Sequence, residues 1–391
     1  MNFQKSNHTE FIIILALLMA SYTLTINMLL PAFDSMSKSL KLNDKSQIQL
    51  SVSLLYLGTG ISQLFYGALA DAFGRKKVIY IGYVLFLIGC LISFLSWNIH
   101  ILLVGQIVQG IGLGAPRVLS ITIARDKFIG KKMAKIISLV VAINVIVPII
   151  SPILGKLILE TSTWRMLFIT FFCFGLIAFS LFGFRIKETL PIEKRKGVTF
   201  KHILSATLEI IKNKKSIGYT TIAGLFSGVF IAYLNLSQEI FEFQYQLGSQ
   251  YPFYFGFLAF SIGLALVFNA KLVEKLGMKL LVKSAIICSI IVSMIILEFQ
   301  QPLSLWVFIL FMFLLLFSYG ILVGNLTSLA MIPFGHIAGI GSSIIGSIST
   351  LVAVPLSIIV GAYYDGTTSI LVFSFFTIGI ISILIYRFID N

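Results

Sequence analysis

The sequence predicts an all-α membrane protein of about twelve transmembrane helices in two pseudosymmetric six-helix bundles, and three observations carry that expectation. Of 391 residues, 58% are hydrophobic and only 11% charged, with a mean hydropathy of +1.00. That balance excludes a soluble chain. Apolar runs recur along the chain, each close to the about 20 residues that a helix rising 1.5 Å per residue needs to cross about 30 Å of hydrocarbon. Finally, the net charge of +14 is gathered into short stretches between alternate apolar runs. It reports membrane topology rather than a nucleic-acid surface.

The runs of the first half cover 11–31, 48–70, 78–96, 101–124, 133–159 and 166–184. Those of the second cover 217–238, 251–270, 278–297, 303–329, 341–364 and 370–386. The stretch between them is the only one long and polar enough to be a linker. The predicted division is therefore an N-terminal bundle over 1–184, a cytoplasmic basic linker over 185–215 and a C-terminal bundle over 216–391. With the amino terminus in the cytoplasm, the inner loops collect Arg75, Lys76 and Lys77, then Arg125, Lys127, Lys131, Lys132 and Lys135. The linker adds Arg185, Lys187, Lys194, Arg195, Lys196, Lys201, Lys212, Lys214 and Lys215, and the next inner loop Lys271, Lys275, Lys279 and Lys283. Outer loops hold Lys38, Lys41, Lys45, Lys156 and Arg165. The excess of inner positive charge puts both termini in the cytoplasm. No small-residue cleavage site follows the first run, which reads as a retained span rather than a signal peptide.

Internal repetition supports two halves. Gly67-Ala-Leu-Ala-Asp71-Ala-Phe-Gly74-Arg75-Lys-Lys77 returns in weaker form as Ala270-Lys-Leu-Val-Glu274-Lys-Leu-Gly277-Met-Lys-Leu280, each after the second span of its half. Parallel repeats of this kind are what two halves rocking about a midplane site leave in a sequence. Cys90, Cys173 and Cys288 lie apart in apolar runs, and His8, His100, His202 and His336 fall at separate helix ends or loops. That scatter argues against a disulfide, a metal site, a cofactor or a membrane enzyme.

The loop Gly67-x3-Asp71-x2-Gly74-Arg75-Lys76-Lys77 sets a carboxylate at one helix end, a glycine at the turn and a basic cluster at the next helix start. Ion pairs there can exchange as two helices slide. The spacing resembles the signature loop of the major facilitator superfamily, which implies the major facilitator fold and a conformational gate built from Gly67, Asp71, Gly74 and Arg75. Pro148-x3-Pro152-x2-Gly155 resembles the antiporter motif of that superfamily, and two prolines in one span also predict a kink for alternating access. Together with Leu30-Pro31, Gln109-Gly110-x-Gly112, Trp164-Arg165, Lys187-Glu188-Thr189-Leu190-Pro191 and Gly335-His336-Ile337-Ala338-Gly339, these are similar to the Bcr/CflA branch of the drug:proton antiporters. The resemblance runs over nearly the whole chain. It implies export of small molecules driven by inward proton flow, by a monomer in a bacterial inner membrane.

Two residues depart from that branch. Where its members carry an aspartate in span one this chain has Asn27, and where they carry an arginine three residues before Gln109 it has Gln106. Both neutralised together, the acid and base leave the inherited proton site without its charges. Asp34 and Glu239, each a turn or two beyond a span, are the substitute candidates for a proton carrier.

The charge that remains deep in a span is Arg117, eight residues before Arg125 and hence about 12 Å along an ideal helix. An intramembrane arginine costs several kcal/mol by insertion scales, roughly 3, and is normally paired or functional. Its expected partner is a carboxylate or phosphate on a substrate. Gln106, about three turns away on the same face, Asn27, Tyr22, Tyr56, Asn235 and Gln238 complete the predicted substrate-binding set. Two readings follow: proton-coupled efflux of the drug-resistance type, and transport of an anionic metabolite such as a carboxylate siderophore with Arg117 as anchor.

Overall fold

The computed structural model describes residues 3–42, 46–128, 130–195, 200–299 and 303–390. Lys45 and Lys196, and the side chains of His8, Lys131, Lys132, Lys135, Lys194, Lys201, His202 and His336, lie outside the described residues. The fold is helical throughout its described spans. Contacts divide it into two units, Met1–Ser205 and Ala206–Asn391.

In the first unit α1 (Phe3–Leu29) runs into a 3-10 turn at Leu30–Ala32 and the short α2 (Phe33–Ser39). There follow α3 (Ser46–Phe73), α4 (Arg75–Phe94), α5 (Ile99–Lys127), α6 (Gly130–Thr161), α7 (Arg165–Arg185) and α8 (Phe200–Lys212), which crosses into the second unit. That unit continues with α9 (Lys214–Gln238), a π-helical turn (Glu239–Gln244), α10 (Tyr251–Leu276), α11 (Met278–Leu297), α12 (Leu305–Met331), α13 (Ala338–Ala362) and α14 (Ser369–Asp390). Among the described residues eleven helical stretches are long and apolar enough to span a membrane. Span five of the sequence is α6, 32 residues long.

Each unit repeats one plan. In the first, α5 packs on α3, α4 and α1, α1 on α6 and α7, and α4 on α7. In the second, α12 packs on α10, α11 and α9, α9 on α13 and α14, and α11 on α14. Small residues bring these helices together, as expected where lipid supplies no hydrophobic drive between them. A Cβ on Gly110 of α5 would sit 2.1 Å from the Leu55 carbonyl oxygen of α3. Thr59 Oγ1 then donates to the Gly110 carbonyl at 3.0 Å across the same contact.

The sequence repeat is also a repeat of backbone geometry. Gly74 joins α3 to α4 at φ 95°, ψ 153°, and Gly277 joins α10 to α11 at φ 75°, ψ 156°. Each amide donates four residues back, Gly74 to Ala70 at 3.1 Å and Gly277 to Val273 at 3.0 Å. Positive φ disfavours any side chain at both turns. Only at Gly74 would a Cβ also collide, 2.4 Å from Glu188 Oε2, whereas nothing lies within 4 Å at Gly277. Gly74→Ala is accordingly expected to lower the thermal unfolding midpoint in detergent more than Gly277→Ala. The backbone cost common to both is roughly 1–2 kcal/mol.

The basic stretch read as a linker contains α8, 13 residues long. Its apolar residues Ile203, Leu204, Ala206, Leu208, Ile210 and Ile211 recur at helical spacing, a pattern that the surrounding lysines obscure.

Candidate functional site

Asn98 starts α5 by accepting the Ile101 amide at 2.9 Å, and Pro116 lies inside the helix one residue before Arg117. Arg117 is half-buried. Its Nη1 donates to Tyr22 Oη at 2.8 Å, and the guanidinium carbon lies 4.6 Å from the centre of the same ring. Tyr22 in turn meets Tyr56 of α3 edge to face at 5.9 Å. Three predicted residues from α1, α3 and α5 thus form one cluster. None of the ion pairs among the described residues includes Arg117. A guanidinium held by an aromatic face and one neutral hydroxyl keeps donors of its planar fork for an anion.

The other predicted residues of this unit are arranged differently. Asn27 is buried and spends an amide hydrogen on the Thr23 carbonyl of its own helix at 2.7 Å. Gln106 is fully buried and neither polar atom of its amide has a hydrogen-bond partner, whereas Gln109 Nε2 reaches Ser93 Oγ at 2.8 Å. Asp34, in α2 and half-buried, pairs with the exposed Lys38 at 2.6 Å.

In the second unit Asn235 and Gln238 are buried near the end of α9. Gln238 Nε2 donates to Glu242 Oε2 at 2.8 Å. Glu239 and Glu242 both lie on the π-turn. Such turns are rare and concentrate at functional sites because they re-aim side chains within a helix. Close by, burial pushes the Tyr364 hydroxyl above its ordinary range, and the neighbouring Glu239, Asp365 and Tyr245 push it the same way. Asp365 is held low by the hydroxyl and amide of Thr367, at 2.7 and 2.9 Å. Glu239 therefore sits in a partly buried acid and tyrosine cluster, while Asp34 does not.

The loop predicted as a gate is a network within the first unit. Gly67 is buried in α3. Arg75, 7% exposed, pairs through Nη1 with Asp71 and through Nε with Asp126 at 3.1 Å. Thr189 Oγ1 also donates to Asp126, at 3.0 Å. Glu188 caps α4, accepting the Arg75 amide at 3.0 Å and the Lys76 amide at 3.1 Å. It accepts the amides of Thr189 and Leu190 as well, at 2.9 and 3.0 Å. A carboxylate at a helix N-terminus satisfies orphan donors and meets the positive end of the macrodipole. Sequence reasoning missed Asp126 as a partner and Glu188 as a cap. Asp126 was visible as the acid in the basic Arg125–Lys127 turn, but nothing in the chain marks contacts more than fifty residues away.

Pro148, Pro152 and Gly155 lie on α6, and Gly155 is the point where that helix approaches α1. A Cβ there would be 2.5 Å from the Met28 carbonyl oxygen.

The model of the family described as Major Facilitator Superfamily matches residues 15–356. The uncharacterized MFS-type transporter YdgK of Bacillus subtilis is 29% identical over 86% of this chain and 85% of its own. The bicyclomycin resistance protein homolog of Haemophilus influenzae is 26% identical over 100% of this chain and 98% of its own. Among solved structures, that of the human organic anion transporter MFSD10 (TETRAN) is similar in fold, with a TM-score of 0.72 at 16% identity. It is matched over 98% of this chain and 99% of that one.

Proposed function

The chain belongs to the Major Facilitator Superfamily, a family of transporters and not enzymes, and on that premise we propose that it is a proton-coupled exporter of small organic molecules. It works by alternating access as a monomer in a bacterial inner membrane, with both termini in the cytoplasm, in the manner of the bicyclomycin-type antiporters. The observation that supports this reading is the end-to-end similarity to the bicyclomycin resistance homolog.

Because Asn27 and Gln106 are neutral, the proton needs another carrier, and Glu239 fits that role. Its carboxylate lies on the π-turn beside Tyr364, with Glu242 on the same turn, whereas Asp34 is held by the Lys38 ammonium. In sealed vesicles with an imposed pH gradient, Glu239→Gln is expected to remove gradient-driven transport, leaving less than about a tenth, while Asp34→Asn keeps it. Equal rates in Glu239→Gln and wild type would remove Glu239 as the carrier.

A second reading is favoured by Arg117, which bonds Tyr22, itself packed on Tyr56, and joins none of the ion pairs among the described residues. It makes the substrate an anion, such as a polycarboxylate, bound by the guanidinium. Vesicle transport of cationic drugs and of polycarboxylates, with and without the pH gradient, separates the two. Gradient-dependent drug movement with polycarboxylates excluded supports the first, and polycarboxylate movement the second.

A further inference from the structure

The helix α8 carries two apolar faces, of which only one is covered. At about 100° per residue, Ile203, Ala206 and Ile210 fall in one sector of roughly 60°, and they are 6%, 2% and 0% exposed. Leu204, Leu208 and Ile211 form a second sector of similar width, and they are 47%, 45% and 47% exposed. The third sector holds Ser205, Glu209 and Lys212, all exposed. A helix lying on protein alone needs one apolar face, so the second requires another apolar neighbour.

Two further observations identify that neighbour. Asn213 alone separates α8 from α9, a membrane span that begins at Lys214. The end of α8 is therefore at the depth where the chain enters the bilayer. Exposed Lys212, Lys214 and Lys215 cluster at this junction, next to the uncovered row. An amphipathic helix with apolar side chains at the acyl boundary and lysines at headgroup level is the arrangement that binds an anionic bilayer surface.

We propose that α8 is a membrane-surface helix that seats Leu204, Leu208 and Ile211 in the lipid leaflet and holds anionic phospholipid headgroups with Lys212, Lys214 and Lys215. It thus makes this transporter responsive to the anionic lipid content of its membrane.

The test uses the full chain with Cys90, Cys173 and Cys288 changed to serine. An environment-sensitive fluorophore is attached at Leu208→Cys or at Glu209→Cys, and the protein is reconstituted in nanodiscs of phosphatidylcholine with or without phosphatidylglycerol. The label at Leu208→Cys is expected to be quenched by doxyl-labelled lipids, and more so with phosphatidylglycerol. The label at Glu209→Cys is expected to be quenched by aqueous iodide instead. High salt and the Lys212→Gln/Lys215→Gln pair should each remove the phosphatidylglycerol increment, about five-fold in lipid affinity for each lysine lost. That pair leaves the apolar row intact, so a lost increment cannot be assigned to an unfolded helix. Iodide quenching that is equal at both positions would overturn the proposal by showing water on the apolar row. A label at Leu208→Cys shielded from both quenchers would overturn it too, because protein would then cover the row. An unchanged increment in the lysine pair would overturn the headgroup assignment.

Discussion

Arg117→Ala is expected to weaken transport of a carboxylate substrate at least about 30-fold, equivalent to roughly 2 kcal/mol lost from a half-buried charge-assisted contact. The loss should fall on apparent affinity, because the group removed is one that would hold substrate rather than one that moves. The conservative variants divide the effect. Arg117→Lys keeps the charge but loses the planar fork that lies 4.6 Å from the Tyr22 ring centre, so an intermediate loss of about ten-fold is expected. Tyr22→Phe keeps the aromatic face and removes the 2.8 Å hydrogen bond, for about 1 kcal/mol or five-fold. Initial rates in vesicles against substrate concentration give the ordering. If cationic drugs are carried as well by Arg117→Ala as by wild type and polycarboxylates are carried by neither, the anionic reading is wrong.

Arg75→Ala should have the second large effect, on stability and transport together. It leaves Asp71 and Asp126 facing each other's charge without their cation, in a site where the arginine side chain is only 9% exposed and the two acids 31% and 21%. Removing one member of a buried pair costs about 3–5 kcal/mol. The partial exposure of both acids reduces that to roughly 2–3 kcal/mol here, and transport is expected to fall more than ten-fold if the network holds one end state. Glu188→Gln removes a charge from the start of α4 while keeping an acceptor oxygen, so it should cost about 1 kcal/mol. Thermal unfolding in detergent and transport in vesicles measure the two effects separately. An Arg75→Ala protein with wild-type midpoint and rate would reduce the loop to a positively charged turn. Recovery in Asp126→Asn/Arg75→Ala, where less charge is stranded, would show that electrostatic imbalance causes the loss.

The fold was legible because lipid imposes a simple rule. Every spanning segment must satisfy its own backbone, so apolar length alone marks the helices, and the run ending at Gln238 stops where α9 stops. Gly74 and Gly277 were legible as a pair because a turn at positive φ selects glycine locally, wherever the rest of the chain lies. α8 was hidden because its apolar spacing is shared between two faces and flanked by lysines.

By itself, then, the sequence determined the apolar spans, the repeat and the place of Arg117 deep in one of them, all of which depend on local composition and spacing. Only the tertiary structure decided what each charge meets. It paired Arg117 with Tyr22 from 95 residues away, Arg75 with Asp126 from 51, and the α4 amides with Glu188 from more than 110. Such partners are selected by helix packing, since a side chain's electrostatic environment falls off within a few ångströms in space and bears no relation to distance along the chain.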